Sequence, residues 1–393
     1  MPSGSRNWLV ALLSAAVFSS MTVAVMMGPL LVALAGAFGT SVAGAGQLAA
    51  AIGISWGITA PLVGPVSDIY GRRRVALTGI ALMTAGTLGS LLAWDYWGLL
   101  GCRLLTGVGA AMIPPNSMAT IADQFAPTER GRPISLLISA SCLGYVIGLP
   151  AVAAIGAFGG WRLPFAVVGA FLAVLLTWHW FAFPRAAVAR RTVGFAAHFR
   201  EVGQSTIFWF VLAANVLYRT ASFGVFTYVV AFLLQAYGMK QGETALPLGL
   251  LGFGAMAGSI LGGFVAAWPG RLGWAACGLV AGGVCIDVAL DGALAPWTAV
   301  FIGFMGMVML TIFEPVSWVV TAELAGESRA TANGLLATSN QLGIIGGGSV
   351  AGLVLALGGF PLVGFFCTGV ATAAGVIVLG IAVRLRPRQL VRA

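Results

Sequence analysis

Long apolar runs alternate with short polar or charged stretches along the whole chain. From Asn7 to Ser67 there is no charged side chain, and such a run is long enough for two membrane-spanning helices of about 20 residues each. The alternation continues to the end of the sequence and predicts twelve spans, which we number in chain order. Their predicted ranges are 8–34, 47–67, 75–93, 96–121, 134–158, 163–183, 207–234, 245–267, 272–290, 297–321, 332–357 and 361–383.

The composition supports a membrane protein, because 59% of the residues are hydrophobic and only 8% are charged. A water-soluble domain of this length needs more charge on its surface. The first apolar run is too long for the core of a cleaved signal peptide, and further spans follow it directly. We therefore expect an all-α membrane protein.

The basic residues predict the orientation of the spans. Of the 20 lysines and arginines, only Arg162 and Lys240 fall in predicted outer loops, and only Arg103 and Arg219 fall within spans. All others lie on the side of the N-terminus, so the positive-inside rule places both termini in the cytoplasm. The net charge of +9 then reflects topology, and we expect no nucleic-acid partner.

The sequence lacks the residues that several other classes of protein require. Lys240 is the only lysine, so there is no Gly-Lys-Ser/Thr loop for the phosphates of ATP. His179 and His198 have no cysteine or carboxylate cluster at metal-ligand spacing. All five cysteines lie in predicted spans, which argues against a disulfide framework. We expect no enzyme activity, no cofactor and no metal.

The second half of the sequence repeats features of the first half. "GPVSDIYGR" (64–72) aligns with "GFVAAWPGR" (263–271), and "IPPNS" (113–117) aligns with "FEPVS" (313–317). This predicts two pseudo-symmetric six-helix bundles with a central site between them. The predicted division is 1–183 for the first bundle, 184–206 for a cytoplasmic linker and 207–393 for the second bundle. Because one chain holds both bundles, we expect a monomer.

A charge cluster follows span 2. Asp68 is predicted near the carboxyl end of its helix, where the helix dipole disfavours an anion, so it needs a cation or another helix N-terminus nearby. Arg72 is assigned to the same gating cluster. Gly64 is expected to let another helix approach closely, and Gly71 suits the end of the helix. The cluster is either a tight turn with topogenic arginines or a latch that closes the cytoplasmic side.

Three stretches resemble signatures of the major facilitator superfamily. "GPVSDIYGRRRV" (64–75) is similar to the family's Gly-x-x-x-Asp-x-x-Gly-Arg-(Arg/Lys) loop between spans 2 and 3. "RLLTGVGAA" (103–111) resembles its span 4 signature, and "GWRLPF" (160–165) resembles the start of its span 6. The resemblance covers essentially the whole chain and points to the bacterial drug and sugar efflux branch. It implies a proton-driven antiporter in the bacterial cytoplasmic (inner) membrane.

Span 5 departs from the antiporter signature of that family. "GYVIGLPAV" keeps Gly144 and Gly148, but Leu149 separates the second glycine from Pro150, and Ala153 stands where the signature has another glycine. We still assign Gly144, Gly148 and Pro150 to gating.

Glu314 is an acid inside span 10, in "TIFEPVSW" (311–318). An acid within a span costs about 2.5 to 3.5 kcal/mol even on the lenient scale and is a functional candidate by default. Pro315 cannot donate a hydrogen bond to the carbonyl of Thr311, so we expect a kink there. In the family that the chain resembles, spans 1, 4, 7 and 10 line the central cavity, which would contain Glu314.

Arg219 in span 7 is the expected partner of Glu314, since their predicted heights differ by only several ångströms, within reach of two long side chains. Asn215 shares a helix face with Arg219, and Thr311 and Trp318 flank Glu314 at helical spacing. We expect these residues to bind substrate and exchange protons. The alternative is a structural ion pair between spans 7 and 10.

Arg103 in span 4 is the third buried charge. The resemblance implies a role in proton transfer or gating, and the alternative is that Arg103 ties span 4 to backbone carbonyls. Two arginines and one glutamate bias the cavity toward positive potential, so a small organic anion or zwitterion is the expected substrate.

The expected function is secondary active transport by alternating access, with proton-coupled export as the first choice. Uptake by symport or by facilitated diffusion is the alternative, and a non-transporting sensor or scaffold is the alternative from another class. The expected partners are a small-molecule substrate, protons and the lipid bilayer.

Overall fold

The computed structural model describes residues 3–126, 129–183, 205–324 and 329–389. Every regular element within these ranges is a helix, and they contain no strand. Most of the predicted linker, residues 184–204, lies outside the described residues.

Eleven helical runs among the described residues are long and apolar enough to cross a membrane. The last run, Gly334–Leu385, has 52 residues and is interrupted by non-helical backbone at Gly358 and Gly359. It therefore accounts for both span 11 and span 12. The predicted fold class is confirmed.

The chain divides into two compact units. The first contains spans 1 to 6 together with Lys240–Gly249, and the second contains span 7 and the chain from Leu250 onward. Within the first unit, the side chain of Gln241 donates a hydrogen bond of 3.4 Å to the carbonyl of Pro29.

The first six spans are formed by helices that are interrupted in spans 1, 4 and 5. In chain order the helices are Ser3–Val25 and Leu31–Phe38 (span 1), Val42–Tyr70 (span 2), Arg72–Leu92 (span 3), Tyr96–Ala111 and Ile113–Gln124 (span 4), Gly131–Leu143 and Leu149–Gly159 (span 5), and Arg162–Ala182 (span 6).

The remaining spans follow the same plan. Their helices are Thr206–Tyr237 (span 7), Ala245–Val265 (span 8), Arg271–Leu290 (span 9), Pro296–Thr311 and Phe313–Leu324 (span 10), Arg329–Ile345 (span 11), and Ala351–Gln389 (the rest of span 11 and span 12). Span 7 is buried along most of its length, whereas a much smaller share of the residues of span 6 is buried.

Polar side chains begin three of these spans. Ser41, Asp95 and Ser205 each accept a hydrogen bond from the amide three residues later. Such caps satisfy N–H groups of the first turn that have no partner within the helix.

Spans 4 and 10 are broken at equivalent positions. The helix of span 4 ends at Ala111 and a new one begins at Ile113, while that of span 10 ends at Thr311 and resumes at Phe313. Prolines follow both breaks within the first turn of the new helix, where the missing N–H has little cost. The helix is therefore interrupted beside Glu314, where we predicted a kink, and the repeat extends to these interruptions.

Span 1 contains a break that the sequence analysis did not predict. Its first helix ends at Val25, and a short 3₁₀ turn, Gly28–Leu30, precedes the second helix. Pro29 in this turn has no N–H to donate to an earlier carbonyl, which explains the interruption.

Spans 5 and 11 each contain a π-helical segment, Gly144–Gly148 and Gly346–Val350. A π segment leaves backbone groups unmatched, and the hydroxyl of Tyr228 donates a 2.5 Å hydrogen bond to the carbonyl of Gly348. Such segments often occur at functional positions in helices.

Candidate functional site

An arginine and a glutamate form an ion pair inside the second unit. Arg219 lies in the middle of span 7, and Glu314 lies in the first turn after the break in span 10. Nη2 of Arg219 donates a hydrogen bond to Oε1 of Glu314. Their side chains are 13% and 26% exposed, so the pair is largely removed from solvent but still accessible. The structure brings together the two residues that the sequence analysis paired.

Tyr218 adds a second contact to the carboxylate. Its buried hydroxyl donates to Oε2 of Glu314 at 3.3 Å, so both carboxylate oxygens accept hydrogen bonds from span 7. The guanidinium carbon of Arg219 lies 5.3 Å from the centre of the Tyr218 ring, within the range of a cation–π contact. Two neighbouring residues of one helix therefore hold Glu314.

Amide side chains extend the cluster from the arginine. Nε of Arg219 donates to Oδ1 of Asn340 in span 11 at 3.1 Å. The side-chain nitrogen of Asn215 donates to the same oxygen at 2.7 Å and lies 2.8 Å from the hydroxyl of Ser339. Asn215 therefore belongs to the cluster, as expected, and it acts on Arg219 through Asn340.

Span 11 can reach Arg219 because a glycine faces it. A Cβ added to Gly343 would overlap the Cβ of Arg219 and would lie 2.9 Å from the carbonyl oxygen of Val216. Small residues at helix contacts allow backbones to approach closely in membranes. This approach places Asn340, one turn before Gly343, beside the guanidinium.

Thr311 and Trp318 have other partners. The hydroxyl of Thr311 lies 2.8 Å from the carbonyl of Met307 and 2.9 Å from that of Ala255 in span 8, so it links spans 8 and 10. Trp318 packs against the hydrophobic cluster Phe208, Leu212, Ala332 and Leu336. Neither side chain shows a contact with the ion pair among the described residues.

Arg103 is fully buried in the first unit. Its Nη2 donates to the carbonyl of Val23 at 2.5 Å, and its Nη1 lies 3.7 Å from the sulfur of Met26. The guanidinium also lies 5.8 Å from the ring centre of Phe165. Arg103 therefore ties span 4 to the end of the first helix of span 1, next to the break at Pro29.

The charge cluster after span 2 is a hydrogen-bonded network. Arg72 lies 2.5 Å from Oδ1 of Asp68 and 2.9 Å from Oδ2 of Asp123 at the end of span 4. It also donates to the hydroxyl of Ser67 at 2.7 Å, and the Asn116 amide donates to its backbone carbonyl at 2.9 Å. Arg72 thus supplies the cation that Asp68 needs.

The glycines of this cluster differ in their surroundings. Gly71 ends the helix with φ of 90° and donates its N–H to the carbonyl of Ser67, in agreement with the predicted helix end. Gly64 was expected to allow another helix to approach, but no described atom lies within 4 Å of a Cβ added there. In this structure the close contact expected at Gly64 is not present.

The second unit contains a matching ion pair. Arg271, at the start of span 9, donates to Glu323 near the end of span 10 and to the carbonyl of Ala266. Arg271 and Glu323 occupy the positions that the repeat assigns to Arg72 and Asp123. Each unit therefore joins the same two helix ends through an arginine and an acid.

The span 5 residues assigned to gating lie at or next to its π segment. Gly144 and Gly148 are its first and last residues, and Pro150 is the second residue of the following helix. A Cβ at Gly144 would lie 2.7 Å from the Cβ of Met21, so spans 1 and 5 cross at this glycine. The π segment therefore lies at a close helix crossing.

Sequence reasoning did not select Tyr218, Asn340 and Asp123 as site residues. Tyr218 does not stand out in the sequence as a site residue, because aromatic residues in spans usually pack against neighbouring helices. Asp123 could have been found, since it aligns with Glu323 in the repeat. Asp287 is a further acid in span 9; it packs beside Gly364 of span 12. Among the described residues, no three or more His, Cys, Asp or Glu side chains are grouped to hold a metal.

Known proteins share this architecture. A family model described as Major Facilitator Superfamily matches residues 13–348. One similar structure is the crystal structure of a bacterial homolog to the human lysosomal transporter Spinster, in an inward-facing and unoccupied conformation. It has a TM-score of 0.78 and 18% identity, and the match covers 98% of this chain and 96% of that chain.

Two similar proteins are named as transporters. The chain is 26% identical over 330 residues to the 3-(3-hydroxy-phenyl)propionate transporter of Escherichia coli (strain K12), covering 81% of this chain and 79% of the relative. It is 25% identical over 312 residues to a probable sugar efflux transporter of Helicobacter pylori (strain G27), covering 78% and 77%.

Proposed function

Because the chain belongs to the Major Facilitator Superfamily, whose members are membrane transporters of small molecules and not enzymes, we propose that it carries a small organic anion together with a proton. The observation behind this proposal is the ion pair of Arg219 and Glu314, in which each charge is the counter-ion of the other. The cluster around this pair is the proposed site of coupling.

Protonation of Glu314 would release Arg219 for an anion. A neutral carboxyl group no longer balances the guanidinium, which then needs another anionic partner. A carboxylate or sulfonate matches the fork of N–H donors that arginine presents. The hydroxyl of Tyr218 and the amides of Asn215 and Asn340 supply further hydrogen-bonding groups nearby.

This arrangement couples the two ligands through charge balance. The site is balanced when it is empty and ionised, and also when it holds both a proton on Glu314 and an anion on Arg219. With only one of the two ligands, an unbalanced charge remains in the membrane interior, which is costly. Only the two balanced states change sides easily, which is the condition for symport by alternating access.

One relative gives partial support to an anionic substrate. The Escherichia coli relative is named for a substrate with a propionate group, which is an organic acid. We place the protein in the bacterial cytoplasmic membrane with both termini inside, as the basic residues predict. An inward proton gradient would then drive uptake of the anion.

Proton-coupled export is the second candidate. It is favoured by Gly144 and Gly148, which span 5 keeps from the antiporter signature, and by the relative named as a probable sugar efflux transporter. In that mechanism proton and substrate compete for the site. Arg219 can pair with either Glu314 or the substrate anion, so protonation of Glu314 favours binding of the anion. For this reason we propose uptake first.

The test is accumulation of radiolabelled 3-(3-hydroxyphenyl)propionate and other small organic anions in cells that express the protein. We expect wild type to raise accumulation above that of cells without the protein, and both an uncoupler and Glu314→Gln to abolish the rise. Glu243→Gln is the matched control, because Glu243 is an exposed acid in the 3₁₀ turn Gln241–Thr244 and has no contact with Arg219 or Glu314 among the described residues. The neutral amides of the same acids should not accumulate.

The direction of the effect separates the two candidates. Lower accumulation in wild type, reversed by the uncoupler and by Glu314→Gln, would establish export and contradict uptake. If no organic anion in the panel changes its accumulation, or if a permanent organic cation does so instead, the proposed substrate class is wrong.

A further inference from the structure

A large cavity lies in the first unit, and neither Arg219 nor Glu314 is among the residues that line it. Its volume is about 1010 Å³, enough for an organic molecule with room for water. Thirteen residues from the first helix of span 1, the segment before span 5 and span 5 itself form its lining. We call it the N-terminal cavity.

The lining combines a charged mouth with a mostly apolar interior. Arg6 and Arg132 occupy the first turns of their helices, and both line the cavity. Further along the same helix faces, the lining contains Val10, Leu136 and Leu143. Residues three, four and seven apart share a helix face, so each helix contributes one continuous stripe. A ligand with a polar end and an apolar body matches this arrangement.

Two arginines, Arg6 and Arg132, and one acid, Glu129, are the charged residues of the lining. Arg6 is paired with Glu129 at 3.0 Å and lies 5.5 Å from the ring centre of Phe125. Arg132 forms no ion pair in the part of the chain that the structure describes. The N-terminal ends of two helices add their partial positive charge at the same place. Glu129 therefore compensates one arginine, and the rest of the positive charge has no counter-ion there.

We propose that the N-terminal cavity is a second binding site for an amphipathic organic anion, with its acid group at Arg132 and its apolar body against Val10, Leu136 and Leu143. That this anion is the transported substrate rests on the proposed function. An anionic phospholipid shares the same chemistry, and the test separates it from the soluble anion.

The test measures the reactivity of a cysteine placed in the cavity wall. Ser139 lines the cavity and is exposed, so Ser139→Cys can be labelled with two methanethiosulfonates, one carrying a sulfonate and one a trimethylammonium group. The protein is full length and in nanodiscs of zwitterionic phosphatidylcholine. Each rate is divided by the reagent's rate with a free thiol, and labelling of the five native cysteines is subtracted with the parent protein.

We expect the anionic reagent to react about tenfold faster than the cationic one, because the mouth is positive. Arg132→Gln should remove most of this preference, and Glu129→Gln should increase it about threefold, since it frees Arg6. Arg74→Gln is the matched control: Arg74 is exposed in the first turn of span 3 and does not line the cavity. It should leave the preference unchanged.

Protection experiments identify the occupant. 3-(3-Hydroxyphenyl)propionate should slow labelling of Ser139→Cys by either reagent, whereas its neutral amide should not. Equal normalised rates for the two reagents would overturn the proposal. So would equal effects of Arg74→Gln and Arg132→Gln. A third contrary result would be that the soluble anion gives no protection, whereas phosphatidylglycerol added to the nanodiscs protects this cysteine. That protection would have to exceed the protection of a cysteine introduced as Arg74→Cys.

This test is independent of transport. If cells show no anion accumulation but the labelling preference and protection are found, the proposed function fails and the cavity site stands. If anions accumulate in a Glu314-dependent manner but Ser139→Cys shows no preference, the cavity site fails and the proposed function stands.

Discussion

The double substitution Glu314→Gln with Arg219→Gln separates a structural ion pair from a coupling site. Each single substitution leaves one charge without its partner, while the double substitution leaves a neutral, hydrogen-bonding pair. A purely structural role predicts that the neutral pair restores both stability and transport. A coupling role predicts that it restores stability and that transport stays lost.

The expected magnitude follows from the surroundings of the pair. Two unit charges 4 Å apart interact with about 4 kcal/mol at an effective dielectric constant near 20. The side chains are 13% and 26% exposed, and Arg219 keeps the hydrogen bond to Asn340 when the glutamate is replaced. We therefore expect an interaction energy of about 2 kcal/mol from the double-mutant cycle.

The assay combines denaturant unfolding of the purified protein in detergent with uptake of a labelled organic anion into proteoliposomes. Each single variant should lose stability, and the double variant should recover most of that loss. Transport driven by a proton gradient should be absent in all three variants. Recovery of gradient-driven transport in the neutral double variant would refute the reasoning, because that variant has no acid at position 314 to carry the proton.

Three further predictions concern other parts of the two units. Arg72→Lys should lower the transport rate at least about tenfold, measured as initial uptake, because a single ammonium group cannot keep both carboxylate contacts and the Ser67 contact. Gly347→Ala should strongly reduce the yield of monodisperse protein in size-exclusion chromatography, since the added Cβ would lie 2.6 Å from the backbone nitrogen of Gly224. Gly369→Ala is the control and should leave the yield unchanged, because a Cβ at Gly369 meets open space. Arg103→Lys should cost about 2 kcal/mol of unfolding free energy, measured in denaturant, through the weaker bond to the carbonyl in span 1.

The number and type of elements could be predicted from the sequence because the membrane imposes a simple rule. Each crossing requires a long apolar helix, and charged residues concentrate between crossings. Breaks within the spans were harder to predict. The kink before Pro315 was expected from its missing N–H, whereas Pro29 was overlooked within a continuous apolar run. The π segments begin at Gly144 and Gly346, and glycine spacing alone does not distinguish a π segment from close packing.

The candidate site was predicted in part for a related reason. Arg219 and Glu314 are charged residues in apolar spans. Their pairing could be inferred from the free-energy cost of an unpaired charge within the membrane alone. Thr311 was assigned by helical spacing, which assumes a straight helix. The break at Ile312 lies between Thr311 and Glu314, and the hydroxyl of Thr311 contacts the carbonyls of Ala255 and Met307 instead of the ion pair. Tyr218 was missed because its contact with Glu314 depends on the packing of spans 7 and 10.

The most direct test of the central claim is proton movement that accompanies anion transport in proteoliposomes containing a trapped pH-sensitive dye. A sulfonate analogue of the transported acid is added outside, because it does not cross lipid as a neutral acid. The account predicts that wild type acidifies the lumen as the sulfonate enters and that Glu314→Gln shows no acidification. Entry of the sulfonate without acidification, or unchanged acidification in Glu314→Gln, would contradict coupling through Glu314 and Arg219.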